Sequence, residues 1–147
     1  MIDSAYCSVE YADTYLGYRS FTAGWDASTA SDKGKMLYTA SMLIDRYCIF
    51  EEVNGSPAEY KGESTAPDWL KQATCEQALY LATLGKDPTA ADRKLTLGVK
   101  STDGTVFDKS FQADVLCLNC RTMLQYNGGM IVSGATVGGF GTGAVVK

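Results

Sequence analysis

The chain of 147 residues contains no histidine. Histidine is the commonest general base and the usual partner of a serine or cysteine nucleophile, so its absence removes the most frequent routes of enzyme catalysis. The adjacent acids Glu51 and Glu52 could serve acid–base chemistry, but they lie in a polar segment that favours two solvated carboxylates. We therefore expect a protein that is not an enzyme and has no catalytic, cofactor-binding or metal-binding residues.

Long apolar runs and basic clusters are missing as well. No stretch approaches the roughly 18 continuous apolar residues of a membrane span, and the start MIDSAYCSVE lacks the basic and apolar regions of a signal peptide. The formal net charge is −4, and no segment forms the basic patch with which proteins grip nucleic acid. These absences predict a protein that is made in a cytosol-like compartment and has no membrane partner.

The cysteines are few and odd in number. Five cysteines in a chain of this length favour reduced thiols over a disulfide scaffold. Cys117 and Cys120 have the spacing of half a metal site, but a structural zinc site needs about four ligands. Since both residues fall on an apolar helical stripe, we interpret them as core residues.

Four segments show the apolar period of an amphipathic helix. A first helix is predicted from a cap at Ser8 to about Arg19. Further helices are predicted from Ser31 to Cys48, from Pro67 to a stop at Gly85, and from Ala113 to Tyr126, where Asn127-Gly128-Gly129 ends the pattern.

The other segments do not show the apolar period of a helix. Residues 94–111 alternate between apolar and polar positions around the pair Asp103-Gly104, which predicts a β-hairpin. Residues 50–66 show no period and are predicted to form an irregular connection. The predicted fold is mainly α, with a four-helix body over residues 1–128 that carries the hairpin, followed by an extended glycine-rich arm over residues 129–147.

Aromatic residues crowd the N-terminal region. Three tyrosines form one stripe of the first helix, and Phe21 and Trp25 follow in a loop that is predicted to fold back over it. Because the region is net acidic, a core or a subunit interface is favoured over a stacking platform for single-stranded nucleic acid. The residues assigned to this core or subunit interface are Tyr11, Tyr15, Tyr18 and Trp25.

The end of the chain, NGGMIVSGATVGGFGTGAVVK, has no helical period and almost no charge. Its glycines make it costly to order alone, whereas its apolar residues could anchor it on a partner and its backbone could extend the partner's sheet. The predicted partner-binding anchors are Ile131, Val132, Val137, Phe140, Val145 and Val146. The simpler alternative is a disordered terminus without a function.

Three segments occur in a recognisable order: SVEYADTYLGYR, AGWDASTASDKGKMLYTASMLIDR and APDWLKQATCEQALYLATL. Together they resemble the N-terminal helices of tailed-phage head–tail connector (adaptor) proteins, including the set labelled DnaT-like single-stranded DNA-binding protein. The resemblance spans about residues 4–84. Within that span, the connection at 50–66 departs from the pattern of the family.

The resemblance implies a structural subunit that forms a homo-oligomeric ring, usually a dodecamer, below the portal protein of a phage head. Such a ring extends the DNA channel, lets duplex DNA pass without sequence-specific binding, and offers a surface to the next tail component. The arm would reach into the portal, and the protein would belong to the virion after assembly in the host cytoplasm. The family label keeps a single-stranded DNA-binding module as the alternative function.

Overall fold

The fold is mainly helical in a computed structural model that describes residues 2–85 and 115–132. The helices are α1 (Val9–Leu16), α2 (Ala23–Asp26), α3 (Ala30–Tyr47), α4 (Asp68–Leu84) and α5 (Leu118–Tyr126). The strands are β1 (Cys48–Ile49), β2 (Glu52–Val53), β3 (Ser56–Pro57) and β4 (Met130–Ile131). Within the two described ranges, no helix is long and apolar enough to cross a membrane.

The starts of α1 and α3 are set by side-chain caps. Ser8 caps α1 as predicted, because its hydroxyl accepts a hydrogen bond from the Tyr11 amide at 3.1 Å. The predicted start of the next long helix at Ser31 was wrong, since the Thr29 hydroxyl accepts from the Asp32 amide at 3.1 Å and α3 begins at Ala30.

Two predicted helices are too long. α1 ends at Leu16, with Gly17 as its cap, and does not continue to Arg19. α5 begins at Leu118, because Cys117 is its N-cap and residues 115–117 are not helical. Helical period alone could not predict the start of α5, because the Cys117 N–H there donates to the distant Gln77 side chain.

The turn after α1 differs from the predicted loop. Trp25 does fold back into the core, but it lies in the single-turn helix α2, where it is 1% exposed. Gly24 makes this possible, since a Cβ atom there would lie 2.8 Å from the carbonyl oxygen of Ala82 in α4. Phe21, which was also predicted to fold back, is instead exposed to solvent.

α4 forms the centre of the body and contacts α1, α2, α3 and α5. Its amphipathic pattern predicted one buried arc, yet most of its middle section is buried on every side. Thr74, a polar residue in that section, is bonded within the helix, since its hydroxyl donates to the Leu70 carbonyl at 2.8 Å. The helix ends at Gly85, as predicted, with a left-handed φ of +73°.

The predicted irregular connection contains a tight hairpin. β2 and β3 pair antiparallel, with Glu52 opposite Pro57 and Val53 opposite Ser56. Asn54 and Gly55 connect them with φ values of +55° and +84°, the conformation for which the Asn-Gly pair is favoured. Strands of two residues are too short to show the alternation that identifies a hairpin in sequence.

The first residues of the predicted arm are attached to the body. β4 pairs antiparallel with β1, with Ile131 opposite Cys48, and the Val132 amide donates to the Tyr47 carbonyl at 3.0 Å. The remaining predicted anchors, Val137, Phe140, Val145 and Val146, lie outside the described residues. The predicted hairpin at 94–111 also lies outside them.

Candidate functional site

The structure separates the four aromatic residues that the sequence grouped together. Trp25 belongs to the core, where its indole N–H donates to Asp13 Oδ1 at 2.9 Å. Lys33 donates to the same oxygen at 2.9 Å, and its ammonium group lies 5.2 Å from the Trp25 ring centroid. Burial would raise the pKa of Asp13, but the bonds from Lys33 and Trp25 outweigh it and hold that pKa below its ordinary value.

The three tyrosines of α1 differ in exposure. Tyr11 and Tyr15 are half-buried, whereas Tyr18 is 90% exposed. The Tyr11 ring centroid lies 5.5 Å from the Lys71 ammonium group. All three tyrosines line a concave surface of about 630 Å³ along α1, so the stripe forms part of the protein's surface.

Tyr15 bonds to a buried carboxylate, that of Glu76, which was not predicted from the sequence. Glu76 of α4 is 5% exposed, and its Oε2 accepts hydrogen bonds from the Tyr15 hydroxyl at 2.8 Å and from the Arg19 guanidinium. Its Oε1 accepts from the Asn119 amide at 3.2 Å. Burial, together with the bond to Glu76, raises the pKa of Tyr15 to about 12. One carboxylate therefore joins α1, α4 and α5.

A group of large apolar side chains projects into solvent beside this carboxylate. We call it the knob, and its members are Phe21 (96% exposed) and Leu118 (67% exposed). Phe21 and Leu118 border a depression of about 260 Å³ that Glu76 also lines.

The backbone at the centre of the knob is strained. Phe21 has a φ of +63°, a left-handed conformation that costs a residue with a Cβ atom roughly 1–2 kcal/mol. Strain of this kind persists only where the surroundings fix the backbone, and it clusters at functional positions. Arg19, two residues before Phe21, is bonded to the buried Glu76.

A second surface lies where the β2–β3 hairpin meets the end of α5. Tyr60, Trp69 and Tyr126 line a cavity of about 570 Å³ there, together with the exposed carboxylates of Glu51 and Glu52. We call this the aromatic cavity. Its wall is held by edge-on packing of Tyr60 against the buried Phe50, at 5.0 Å between centroids, and against Trp69 at 6.2 Å. Tyr126 is 89% exposed, so the cavity is bordered by a free aromatic side chain.

Of the predicted arm anchors, two are described. Ile131 is half-buried and packs against the hydrophobic core, and Val132 is half-buried beside it. Both residues therefore hold the start of the arm on the body.

The cysteines have structural positions in the helical body. Cys120 is fully buried, as interpreted from the sequence, and burial raises its pKa well above the ordinary value. Cys117 is not a stripe residue but the cap of α5, where its sulfur accepts from the Cys120 amide at 3.4 Å. All five cysteines are free thiols, and the sulfurs of Cys7 and Cys75 lie 3.7 Å apart. No cluster of three or more metal ligands occurs in the part of the chain that the structure describes.

Comparisons of the chain with protein-family models, with curated proteins and with solved structures found no match. The function proposed below therefore rests on this chain's own surfaces and on the resemblance of its N-terminal segments.

Proposed function

We propose that this chain is a structural head–tail adaptor subunit of a tailed phage. In this role it forms a ring below the portal protein, extends the DNA channel and connects it to the tail. The resemblance of the three N-terminal segments supports this function. So does the arrangement of the body, in which large aromatic side chains are exposed on a helical frame.

The observation that carries the proposal is the exposure of large aromatic side chains at fixed positions. Tyr18, Phe21 and Tyr126 all lie almost completely in solvent. Burying one such side chain contributes about 1.5–3 kcal/mol, and aromatic residues are enriched among the positions that dominate binding energy. A monomer gains nothing from leaving them exposed, whereas a subunit gains binding energy when a neighbour covers them.

The charge of the chain suits a channel. A net charge of −4 gives a ring that does not hold duplex DNA by its phosphates, so that DNA can pass through it. The arm, whose first residues are attached to the body as far as Val132, would provide the apolar anchors for the portal through its later residues.

Binding to the portal ring of the same phage tests the proposal. We would compare the full chain with a version that ends at Val132, because this version keeps the β1–β4 pairing and removes only the later anchors. We expect the full chain to co-sediment with the portal and the shortened chain to bind at least about tenfold more weakly. If the full chain fails to bind the portal at any concentration tested, the chain is not a portal adaptor.

A specific observation favours one other function, the single-stranded DNA-binding module. Tyr18 and Phe21 flank Arg19, and exposed aromatics beside a cation can stack bases. Against this function, Arg19 already pairs with Glu76. Titration of a fluorescent oligothymidylate at low salt separates the two. Salt-sensitive binding that Tyr18→Ala abolishes would favour the DNA-binding module, and an absence of binding would leave the adaptor.

A further inference from the structure

The knob carries an exposed phenylalanine beside an arginine, and the aromatic cavity is lined by aromatic rings beside two carboxylates. We infer that subunits meet head to tail, with the knob of one copy seated in the aromatic cavity of the next. The inference rests on the proposed ring-forming function and adds to it the two surfaces that meet.

The knob is organised before any partner arrives. Arg19 and Tyr15 bond to the buried Glu76, and Asn119, next to Leu118, bonds to the same carboxylate. The segment that carries Phe21 is therefore held from both α1 and α5. A backbone segment that is already held loses little conformational entropy on binding, which favours association.

The aromatic cavity offers a matching environment. Its volume of about 570 Å³ leaves room for the Phe21 ring, and Tyr60 and Trp69 present aromatic faces and edges. Aromatic pairs in such edge-to-face or offset contacts gain about 0.5–1.5 kcal/mol beyond the burial of their area. The cavity thus offers aromatic contacts, within a lining that is mostly polar, to a side chain from outside the body.

Charge favours the same pairing. Arg19 lies two residues before Phe21, and its side chain is 36% exposed. Glu51 and Glu52 are both exposed beside the cavity. The guanidinium has five N–H donors, so Arg19 can keep its bond to Glu76 and still donate to a carboxylate of the neighbouring copy. Opposite charges at the edge of an interface fix its register and suppress wrong partners.

The positions of the two surfaces determine the kind of assembly. Leu118 of the knob is the first residue of α5, and Tyr126 of the cavity is the last, so about 12 Å of helix separates them. The surfaces share no residue. A contact between two different surfaces is heterologous and closes into a ring when its rotation allows, whereas a contact between like surfaces stops at a dimer.

Three variants of the full chain test the inference. Phe21→Ala removes the knob, and the double variant Tyr126→Ala/Glu52→Lys alters the cavity. All three replaced residues are exposed, so the fold should persist. Tyr38→Ala is the matched control, because Tyr38 is 42% exposed on α3 and belongs to neither surface.

Native mass spectrometry gives the readout at one fixed concentration. We expect rings from the wild type and from the Tyr38 control, and monomers from both interface variants, with association weakened more than about tenfold. We then mix the two monomeric variants. One retains the cavity and the other retains the knob, so the mixture should give heterodimers with one intact contact and nothing larger.

Other results would contradict either the pairing of knob and cavity or the proposed adaptor function. Rings formed by Phe21→Ala, or a mixture that remains monomeric, would overturn the pairing of knob and cavity while leaving the adaptor function standing if the portal is still bound. A wild-type chain that stays monomeric would also overturn the pairing. Failure to bind the portal, by contrast, contradicts the proposed function itself.

Discussion

Replacing Gln77 with leucine should destabilise the body strongly. Gln77 lies in the middle of α4 and is completely buried. Its amide nitrogen donates to the Val115 carbonyl at 2.8 Å, and its amide oxygen accepts from the Cys117 backbone N–H at 2.9 Å. This one side chain therefore holds the segment before α5 against α4 and fixes where α5 begins.

The magnitude follows from what the substitution leaves unpaired. Leucine is similar in size but makes neither bond, so the buried Val115 carbonyl and the half-buried Cys117 N–H both lose a partner. A buried polar group without a partner costs about 1–3 kcal/mol, with the lower end applying to Cys117 because water can reach it. We expect a loss of about 2–4 kcal/mol, which lowers Tm by roughly 5–15 °C in a chain of this size.

Urea and thermal unfolding followed by far-UV circular dichroism measure this loss. Thr122→Val is the control, since Thr122 is exposed on α5 outside the knob and the aromatic cavity, and the substitution there should change the free energy of unfolding by less than about 0.5 kcal/mol. Both variants are compared at one protein concentration, because self-association also stabilises the folded state. A loss at Gln77 below about 1 kcal/mol would refute the role given to its two hydrogen bonds.

Three further predictions concern strain, pH and thiol reactivity. Phe21→Gly should raise the free energy of unfolding by about 1 kcal/mol in urea melts, since glycine adopts the φ of +63° without a steric penalty, and should abolish assembly. Lys33 and Trp25 lower the pKa of the Asp13 carboxyl against the effect of burial. The Asp13 carboxylate therefore stabilises the fold above about pH 4, and this contribution disappears as the pH falls through the lowered pKa. Asp13→Asn should therefore lose less stability than the wild type on acidification. A disulfide reagent at about pH 8 should modify Cys117 first, because Cys117 is half-buried whereas the other four thiols are buried. At that pH, a pKa of about 11 keeps even the Cys117 thiol protonated. The other thiols should react mainly in denaturant, which exposes them.

Each of these three predictions has one result that would contradict it. A Phe21→Gly variant that is less stable than the wild type would show that the left-handed backbone carries no strain. Equal acid sensitivity of wild type and Asp13→Asn would remove Asp13 from the account of acid unfolding. Rapid modification of all five thiols in the native protein would contradict their burial.

Features set by neighbouring residues could be predicted from the sequence. The cap at Ser8 and the stop at Gly85 follow from local backbone chemistry, and the structure confirms both. The start of α5 could not be predicted, because it depends on Gln77, whose bond to Cys117 spans 40 residues of sequence. The hairpin at Asn54-Gly55 had its turn signal, but its strands were too short for a periodic pattern.

The surfaces were harder to predict than the helices. The tyrosine stripe of α1 was recognised as a core or interface, but only the structure shows that Trp25 is buried and Tyr18 exposed. The role of Glu76 depends on Tyr15, 61 residues away in sequence. A charged residue inside the apolar run ATCEQAL was the available signal, since acids are rarely buried without partners. The exposure of Phe21 had no signal in the sequence, since a large aromatic residue is ordinarily expected to be buried.

The central claim is that this chain is an adaptor subunit that assembles on a portal. The most direct test is the native mass of the complex formed when the full chain is added in excess to the portal ring of the same phage. The account predicts a single species whose mass exceeds that of the portal ring by close to twelve times 15.8 kDa. A portal ring of unchanged mass beside free monomers of this chain would contradict it.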